Sequence, residues 1–425
     1  MQKIFTSGIA LFSSIMLFGQ EVGQPLPAWN EGEMEIHHIY TGRGESAFCI
    51  LPDGTTLLID AGDGGPHADP RTTKASPDAS KQPGEWIARY IQKRLNFTRE
   101  KKIDYAFITH FHGDHIGGVY KNSPQSKKGG NYYLSGHYEL RLFVGVEEDG
   151  IRCLSGITEV YEHIPFLKII DRDWPTYQYP KPQTGKSFNN YRNFLEWNKN
   201  RLEIERFVPG TNKQFVLVNN PNKYDTFEIR NIVSSGEVWT GSEDDTKKFF
   251  PAGATIDENK CSAGIRISYG KFDYFNGGDL SGRIPVTAES WRNIEIPVGR
   301  AVGTVEVCEA NHHAWIDAMS EPFLQSVQPQ NIIIQVWHVT HINLSVLQSM
   351  TNKSINPNLK NIIPTNIPEL TKAYLGDEQI KKLTGDGGHV VIKVAPGGEK
   401  YSILLLSTED ESHKVKSILG HFESL

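Results

Sequence analysis

The sequence predicts a layered α/β fold, and three observations support this prediction. Residues 55–60 and 103–108 are short apolar runs that read as buried strands, and residues 86–95 between them have the apolar spacing of a helix. The second half of the chain, from residue 264, repeats the alternation of strands and helices. Both halves carry polar, metal-capable residues directly after predicted strands, where an α/β sheet presents its ligand-binding groups.

The first half begins with two predicted strands, over residues 34–40 and 47–51, on either side of a glycine-containing turn. The strand over 55–60 ends at Asp60 and is followed by a glycine-rich loop. The strand over 103–108 leads directly into a histidine-rich loop, so two strand ends of this half carry polar groups.

The second half begins with an alternating hairpin over 264–269 and 272–275, whose second strand is followed by a Gly-Gly-Asp turn. A predicted strand over 302–309 leads to two adjacent histidines. The remaining predicted elements are a helix over 320–327, a strand over 331–336, and a hairpin over 389–394 and 401–406.

The organisation fits one large domain over residues 30–425 that carries a long insertion at about 121–260, where the periodicity weakens. Within this insertion, residues 171–200 are dense in tryptophan, tyrosine, proline and asparagine. A loop of that length usually either serves a function or is disordered. Its aromatic content favours order and leaves two interpretations open: a lid or substrate wall, or an insertion that only packs.

Residues 1–20 have the features of a secretory signal peptide: an early cation at Lys3, an uncharged apolar core, and a cut near Gly19 or Gln20. The core is shorter than the ~20 apolar residues that span a bilayer, which favours cleavage over a retained anchor. We read no later stretch as apolar enough to cross a membrane. The sequence therefore predicts an exported protein, periplasmic or secreted, with no transmembrane segment after leader cleavage.

Charge and cysteine content restrict the function classes. The formal net charge is −6, which disfavours non-specific nucleic-acid binding without excluding a local basic groove. The four cysteines have no short paired spacing, and three of them lie in strand-like apolar runs, where a buried free thiol is the usual state. We therefore assign none of them to a metal site.

The most informative segment is the loop after residue 108, in which His110, His112, Asp114 and His115 fall within six positions. Zinc prefers imidazole and carboxylate ligands, and few structures other than a metal site use such crowding. The outer pair, His110 and His112, can bind one ion. Asp114 and His115, on the following turn, can then reach a second ion nearby. The alternative interpretation is a polar loop whose histidines are only solvated.

This loop resembles the sequence signature of the metallo-β-lactamase superfamily. The order of the surrounding motifs resembles its ComEC-like competence branch: a glycine turn at Gly44-Glu45, a strand ending in Asp60-Ala61-Gly62, the turn 277–280, and the pair His312-His313. The resemblance implies an α/β fold of four layers, an αββα sandwich with the long insertion between its two halves. We read no counterpart of the transmembrane channel of full-length competence proteins, so their DNA-uptake role is not expected here.

The resemblance also implies a set of ligands: His110 and His112 for the first metal, Asp114 and His115 for the second, and Asp279 as a bridge between them. One more imidazole is expected from His312 or His313; the sequence does not decide which, and we prefer the first. The structural alternatives are that this pair caps a strand end and that Asp279 is a simple turn residue. Asp60 is expected to hydrogen-bond the metal loop rather than bind a metal. Two divalent ions are expected, with zinc preferred and manganese or iron as alternatives.

The sequence departs from the superfamily pattern at three places. A further histidine usually completes the first metal shell, and the candidates here are His137 and His163, neither in a recognisable motif; a shell open to water is the other alternative. Glu45 stands where the early turn usually has an aspartate. Trp315 stands in a position that is usually small, and we expect its indole to lie at the mouth of the pocket and to alter which substrates fit.

The predicted site favours a binuclear metal-dependent hydrolase. A hydroxide bridging the two metals would attack a phosphorus or carbonyl centre, with Asp114 as a catalytic metal ligand and no separate nucleophile. We prefer phosphodiester cleavage because the ComEC-like branch includes nucleases and phosphodiesterases, and the acidic charge favours a small-molecule or lipid-derived phosphodiester over nucleic acid. Hydrolysis of a lactam or ester ranks lower. The alternative from a different class is a non-catalytic cell-envelope binding protein with structural metals and an aromatic ligand surface.

Overall fold

The structure is a computed structural model, and it describes residues 20–65, 69–119, 153–283 and 289–425. Residues 1–19, which make up nearly all of the predicted leader, lie outside these ranges, as does His137. Within the described ranges, no helix combines the length and the apolar character needed to cross a bilayer.

Seventeen strands lie in the described ranges, and they form two mixed sheets. The strands are β1 (Met34–His38), β2 (Ala47–Ile50), β3 (Thr56–Ile59), β4 (Ile103–Ile108), β5 (Phe166–Asp171), β6 (Glu203–Arg206), β7 (Phe227–Ser234), β8 (Glu237–Trp239), β9 (Thr246–Lys248), β10 (Gly264–Tyr269), β11 (Phe272–Asn276), β12 (Val307–Glu309), β13 (Asn331–Ile334), β14 (Asn361–Pro364), β15 (His389–Val394), β16 (Lys400–Leu406) and β17 (Val415–Glu423). Helices and short 3₁₀ turns connect them. The helices are α1 (Pro83–Leu95), α2 (Gly113–Ile116), α3 (Ile157–His163), α4 (Lys186–Asn198), α5 (Glu295–Val302), α6 (Glu321–Val327), α7 (Leu344–Thr351), α8 (Glu369–Leu375) and α9 (Asp377–Ile380).

Each sheet has a parallel part and an antiparallel part. The nine-stranded sheet has the order β17-β16-β15-β1-β2-β3-β4-β5-β6, and the pairs from β3 to β6 are parallel. The eight-stranded sheet has the order β14-β13-β12-β11-β10-β7-β8-β9, and the pairs from β11 to β14 are parallel. Parallel strands present their carboxyl ends at one edge, which is where α/β sheets bind ligands.

Three buried apolar clusters define four layers. One cluster joins α1, α3 and α4 to the outer face of the nine-stranded sheet. A second lies between the two sheets, and a third joins α5, α6 and α7 to the outer face of the eight-stranded sheet. The order of layers is therefore helix, sheet, sheet, helix. The predicted α/β fold with an αββα sandwich is confirmed.

The predicted insertion is structured where it is described. Residues 153–260 supply β5 to β9, and these strands belong to both sheets. The aromatic segment over 171–200 contains α4, whose Tyr191 and Phe194 are buried in the outer core. These residues therefore pack as part of the sandwich, and residues 120–152 lie outside the described ranges.

The predicted strand over 302–309 is wrong in its first part. Only Val307–Glu309 is strand, and Val302 is the last residue of helix α5. The buried positions of that helix include Glu295, Val298 and Val302, which follow the helical spacing of one face. Helical periodicity over 295–302 therefore outweighed the β propensity of the valines.

Candidate metal centre

The carboxyl ends of β3 and β4 position the first group of polar side chains. Asp60, which follows β3, has a positive φ of 54°. Its carboxylate accepts hydrogen bonds from Thr109 N (2.9 Å), Thr109 Oγ1 (2.6 Å) and His115 Nδ1 (2.7 Å). Strained backbone of this kind costs about 1–3 kcal/mol and persists where surrounding contacts hold it. Asp60 thus orients the metal loop, in the position that the sequence predicted for it.

A glycine allows the two loops of this half to touch. A Cβ on Gly62 would lie 1.7 Å from the main-chain oxygen of Asp114. The Gly62 N–H donates to Glu45 O (2.8 Å), and the Glu45 N–H donates to Asp114 O (2.8 Å). Backbone hydrogen bonds therefore hold the early glycine turn against the metal loop, at a separation that leaves no room for a side chain at Gly62.

Four side-chain atoms converge at one end of this loop, and we call this set the second position. It consists of Asp114 Oδ2, His115 Nε2, His313 Nε2 and Asp279 Oδ1. His115 Nε2 lies 3.2 Å from Asp279 Oδ1 and 3.8 Å from Asp114 Oδ2, and His313 Nε2 lies 3.3 Å from Asp114 Oδ2 and 3.6 Å from Asp279 Oδ1. Ligands of a tetrahedral ion with bonds of ~2.1 Å are about 3.4 Å apart. The four distances bracket this value.

A matching set surrounds the other oxygen of Asp279, and we call it the first position. It consists of His110 Nε2, His112 Nδ1, His312 Nε2 and Asp279 Oδ2. His110 Nε2 lies 3.2 Å from His112 Nδ1 and 3.6 Å from Asp279 Oδ2, which is 3.7 Å from His312 Nε2. His110, His112 and Asp279 form the group whose ligand atoms all lie within 4.8 Å of one another, and His312 approaches the same Asp279 oxygen; the third histidine of this shell stays a prediction. His163 lies elsewhere, exposed at the end of α3.

Both histidines of the pair face Asp279 because of an unusual turn. His312 and His313 have φ values of 46° and 51°, and Ala314 follows at 57°. His312 N donates to Gly278 O (3.1 Å), and His313 Nδ1 lies 2.9 Å from Gln335 O, which anchors the turn to two strand ends. Consecutive left-handed residues direct the adjacent imidazoles to different oxygens of one carboxylate. The sequence left the choice between the two histidines open, and the structure brings both to the site.

The donor set fits divalent cations. Among the described residues, His115 Nε2 and Asp279 Oδ1 are buried without a well-aligned hydrogen-bond partner, although they face each other. A buried polar atom without a partner is costly and marks a ligand, an ion or a functional role. Imidazole nitrogens and carboxylate oxygens at these spacings suit zinc, iron or manganese. The two positions share Asp279, whose carboxylate can bridge two ions.

Neighbouring imidazoles and carboxylates determine the charges of the side chains at this centre. Although burial favours its neutral acid, the imidazoles of His115 and His313 hold the pKa of Asp114 well below its usual range. Burial likewise opposes ionisation of Asp279, but the neighbouring histidines lower its pKa. Burial also opposes charging of His312, yet Asp279 and Asp317 raise its pKa to about 9. Both carboxylates are therefore ionised at neutral pH, as metal ligands must be.

Glu45 lies against the second position, in a group with His115, Asp279 and His313 whose candidate ligand atoms are all within 4.8 Å of one another. It is buried, and its Oε2 is 3.6 Å from His313 Nδ1. Burial and the nearby Glu309 carboxylate raise the pKa of Glu45 well above its usual value. A neutral Glu45 can donate a hydrogen bond while adding no further negative charge to the centre.

Aromatic residues of the predicted insertion pack against Phe111 of the metal loop. Phe111, between the two histidines of the first position, packs against Tyr177, Phe188 and Tyr191. The guanidinium of Arg172 lies over the Phe111 ring at 4.6 Å. Of the two interpretations from sequence, packing accounts for these contacts.

A wall of rings borders the two positions, and sequence reasoning identified only Trp315 in it. The Trp315 ring is half-buried and stacks on His312, with centroids 5.9 Å apart. His341 stacks on His313 at 4.5 Å, and Trp337 and His338 complete the wall. The missed signal is the run Trp337-His338-Val339-Thr340-His341 directly after a buried strand of the second half.

Part of the chain matches the model of a known protein family, and the chain is similar to solved structures. Residues 40–123 match the family model of the metallo-beta-lactamase superfamily. Among solved structures, the chain is similar to CmlA, a diiron beta-hydroxylase from Streptomyces venezuelae, with 10% identity and a TM-score of 0.37 over 87% of this chain and 55% of that chain. A mutant of CmlA beta-hydroxylase is similar with 9% identity and a TM-score of 0.36, over 85% of this chain and 54% of that chain. The chain spans about half the length of these structures, and no curated protein matches it.

Proposed function

We propose that this protein is an exported binuclear metal-dependent hydrolase of the ComEC-like branch that cleaves small-molecule or lipid-derived phosphodiesters. The observation that carries the proposal is the sharing of Asp279: Oδ1 faces His115 and His313, while Oδ2 faces His110 and His312. Export rests on the apolar leader, and the branch rests on the order of the sequence motifs. The acidic net charge of −6 supports a small substrate over nucleic acid.

The side chains divide the work between binding and orientation. His110, His112 and Asp279 would hold one ion, with His312 beside the same Asp279 oxygen. His115, His313 and the other Asp279 oxygen would hold the second, with Asp114 beside both histidines. Two divalent ions held there would supply a water of lowered pKa (about 7) and positive charge that stabilises a phosphoryl group. Asp60 and Gln335 O fix the rings of His115 and His313 through Nδ1, so that Nε2 of each ring faces Asp279. Nε2 of His313 also accepts a long hydrogen bond from Trp337 Nε1 (3.4 Å).

Hydrolysis would add one water across a P–O ester bond. The water oxygen bonds to phosphorus, and the ester oxygen leaves as an alcohol. One water proton ends on that alcohol, and the other on the phosphomonoester or in solvent. The wall of Trp315, Trp337 and His338 borders this site and would contact an ester group of the substrate.

The test is turnover of bis(p-nitrophenyl) phosphate by purified protein after chelation and after return of zinc, manganese or iron. We expect activity only in metal-loaded protein, and Asp114→Asn should lose at least about 100-fold in kcat while its melting temperature stays close to wild type. A lactam and an ester substrate run beside it measure the preference for phosphorus. Equal turnover by chelated protein, or by Asp114→Asn, would refute the proposal. The amino terminus of the secreted protein, sequenced directly, tests cleavage near residue 20.

A further inference from the structure

We propose that Asn259 contacts the substrate, and that its amide N–H donates a hydrogen bond to a phosphoryl oxygen beside the first position. This inference rests on the proposed phosphodiesterase function. Neither the sequence motifs nor the ligand set include Asn259. Its side-chain Nδ2 lies 3.1 Å from His312 Nε2, the ring nitrogen that faces Asp279.

The state of His312 explains why this contact points to a ligand. His312 Nδ1 lies 2.7 Å from the Asp317 carboxylate, so Nδ1 keeps its proton and Nε2 offers its lone pair when the ring binds a metal ion. A single lone pair cannot serve both a cation and the Asn259 N–H. In the metal-loaded protein Asn259 therefore needs a different acceptor at the same edge. A phosphoryl oxygen of the substrate supplies one.

The side-chain amide of Asn259 does not serve to stabilise the fold. Asn259 is 7% exposed, and its Oδ1 has no hydrogen-bond partner within the described part of the chain. A buried amide oxygen left without a partner costs about 1–3 kcal/mol. An apolar residue here would avoid that cost, so the amide at this place indicates a role in binding.

The backbone around Asn259 is held firmly, so its side chain is pre-positioned. It begins the 3₁₀ turn Asn259–Cys261, and the preceding Glu258 accepts Phe111 N (3.1 Å) and both Arg172 Nε (2.8 Å) and Nη2 (2.6 Å). Ser262 N donates to Asn259 O at 3.0 Å.

The same segment also contacts the backbone of Asp279 and the metal loop. Asp279 N donates to Ser262 Oγ (3.1 Å), and Ala263 N donates to Thr109 O (2.9 Å). A donor fixed in this way needs no reorganisation when charge develops on a phosphoryl oxygen, which is the condition for strong stabilisation. Removing such a donor typically costs about 100- to 1,000-fold in kcat.

The experiment compares Asn259→Ala with Asn356→Ala. Asn356 is a matched control because it is also buried and its Oδ1 also has no partner among the described residues, while its Nδ2 donates to Pro329 O, away from the site. Three readouts are used for each metal-loaded variant: metal affinity by chelator competition, affinity for phenylphosphonate by calorimetry, and kcat for bis(p-nitrophenyl) phosphate.

We expect Asn259→Ala to keep wild-type metal affinity, to bind phenylphosphonate at least about 10-fold more weakly, and to lose about 100-fold in kcat. Asn356→Ala should lose only thermal stability. Unchanged phosphonate affinity in Asn259→Ala would overturn the inference, and so would a loss of metal affinity, which would make Asn259 a metal ligand. If wild-type protein shows no turnover, the proposed function fails, while phosphonate binding still decides the role of Asn259.

Discussion

The substitution Asp60→Asn tests how the second position is organised. In the native protein Asp60 Oδ1 accepts Thr109 N, and Oδ2 accepts both Thr109 Oγ1 and His115 Nδ1. Asparagine has nearly the same shape but carries an NH₂ group in place of one oxygen. With its remaining oxygen on Thr109 N, the new NH₂ group faces His115 Nδ1.

The expected consequence is a change of tautomer at His115. An NH₂ group donates to Nδ1, so the ring proton moves to Nε2, the nitrogen that faces Asp279 and Asp114. A protonated Nε2 cannot bind a metal ion. Loss of a carboxylate behind a ligating histidine typically reduces metal affinity by about 10- to 100-fold, or about 1.4–2.7 kcal/mol.

The assay is chelator competition on the purified variant, which separates the two binding steps. Asp104→Asn provides the matched control, because Asp104 is also buried and accepts the N–H (2.9 Å) and hydroxyl (3.0 Å) of Thr56 without contacting a histidine. We expect both variants to lose stability and only Asp60→Asn to lose affinity for one of two ions. Equal affinities in the two variants would refute the tautomer argument.

The sequence predicted most of the site because its ligands follow parallel strands. The metal loop follows β4, Asp279 follows β11 and the histidine pair follows β12, and such strand ends meet at one edge of a sandwich. Their roles as metal ligands stay predictions. The sequence could not predict that His312 and His313 face different oxygens of Asp279, because two adjacent non-glycine residues rarely adopt left-handed φ.

The elements between residues 153 and 260 were not predicted, for a different reason. Three of their strands, β6, β8 and β9, have only three or four residues, and neither β6 nor β9 contains a fully buried residue. Alternation of apolar and polar residues therefore carries little signal there. Asn259 was also missed, since an isolated asparagine in an irregular stretch gives no pattern, and only its distance to His312 identifies it.

Three further predictions follow from single contacts. His313→Ala should lose one of two metal ions by elemental analysis while His312→Ala loses the other, and loss of both ions in either variant would contradict the division into two positions. Burial raises the pKa of Glu159 to about 8, so its ionisation costs stability as pH rises from the unfolded value of about 4.5 towards 8. Glu159→Gln should therefore raise the melting temperature more at pH 9 than at pH 5, and an equal gain at both would contradict this. Gly278→Ala should destabilise the protein by more than Gly253→Ala, measured by urea unfolding: both have positive φ, but a Cβ meets a threonine side chain at 2.7 Å only at Gly278. Equal losses would show that the close contact relaxes.

The strained turn at 312–314 explains how one strand end can serve two metal positions. Each left-handed residue there costs about 1 kcal/mol or more, and the hydrogen bonds of His312 N and His313 Nδ1 hold the conformation. In an extended or helical backbone, adjacent side chains diverge too far to reach the two oxygens of one carboxylate. Because of this strained turn, one strand end supplies a histidine to each of the two positions, and no second strand has to supply one. Relieving it should separate the two rings and weaken both positions together, whereas loss of either ring alone weakens one.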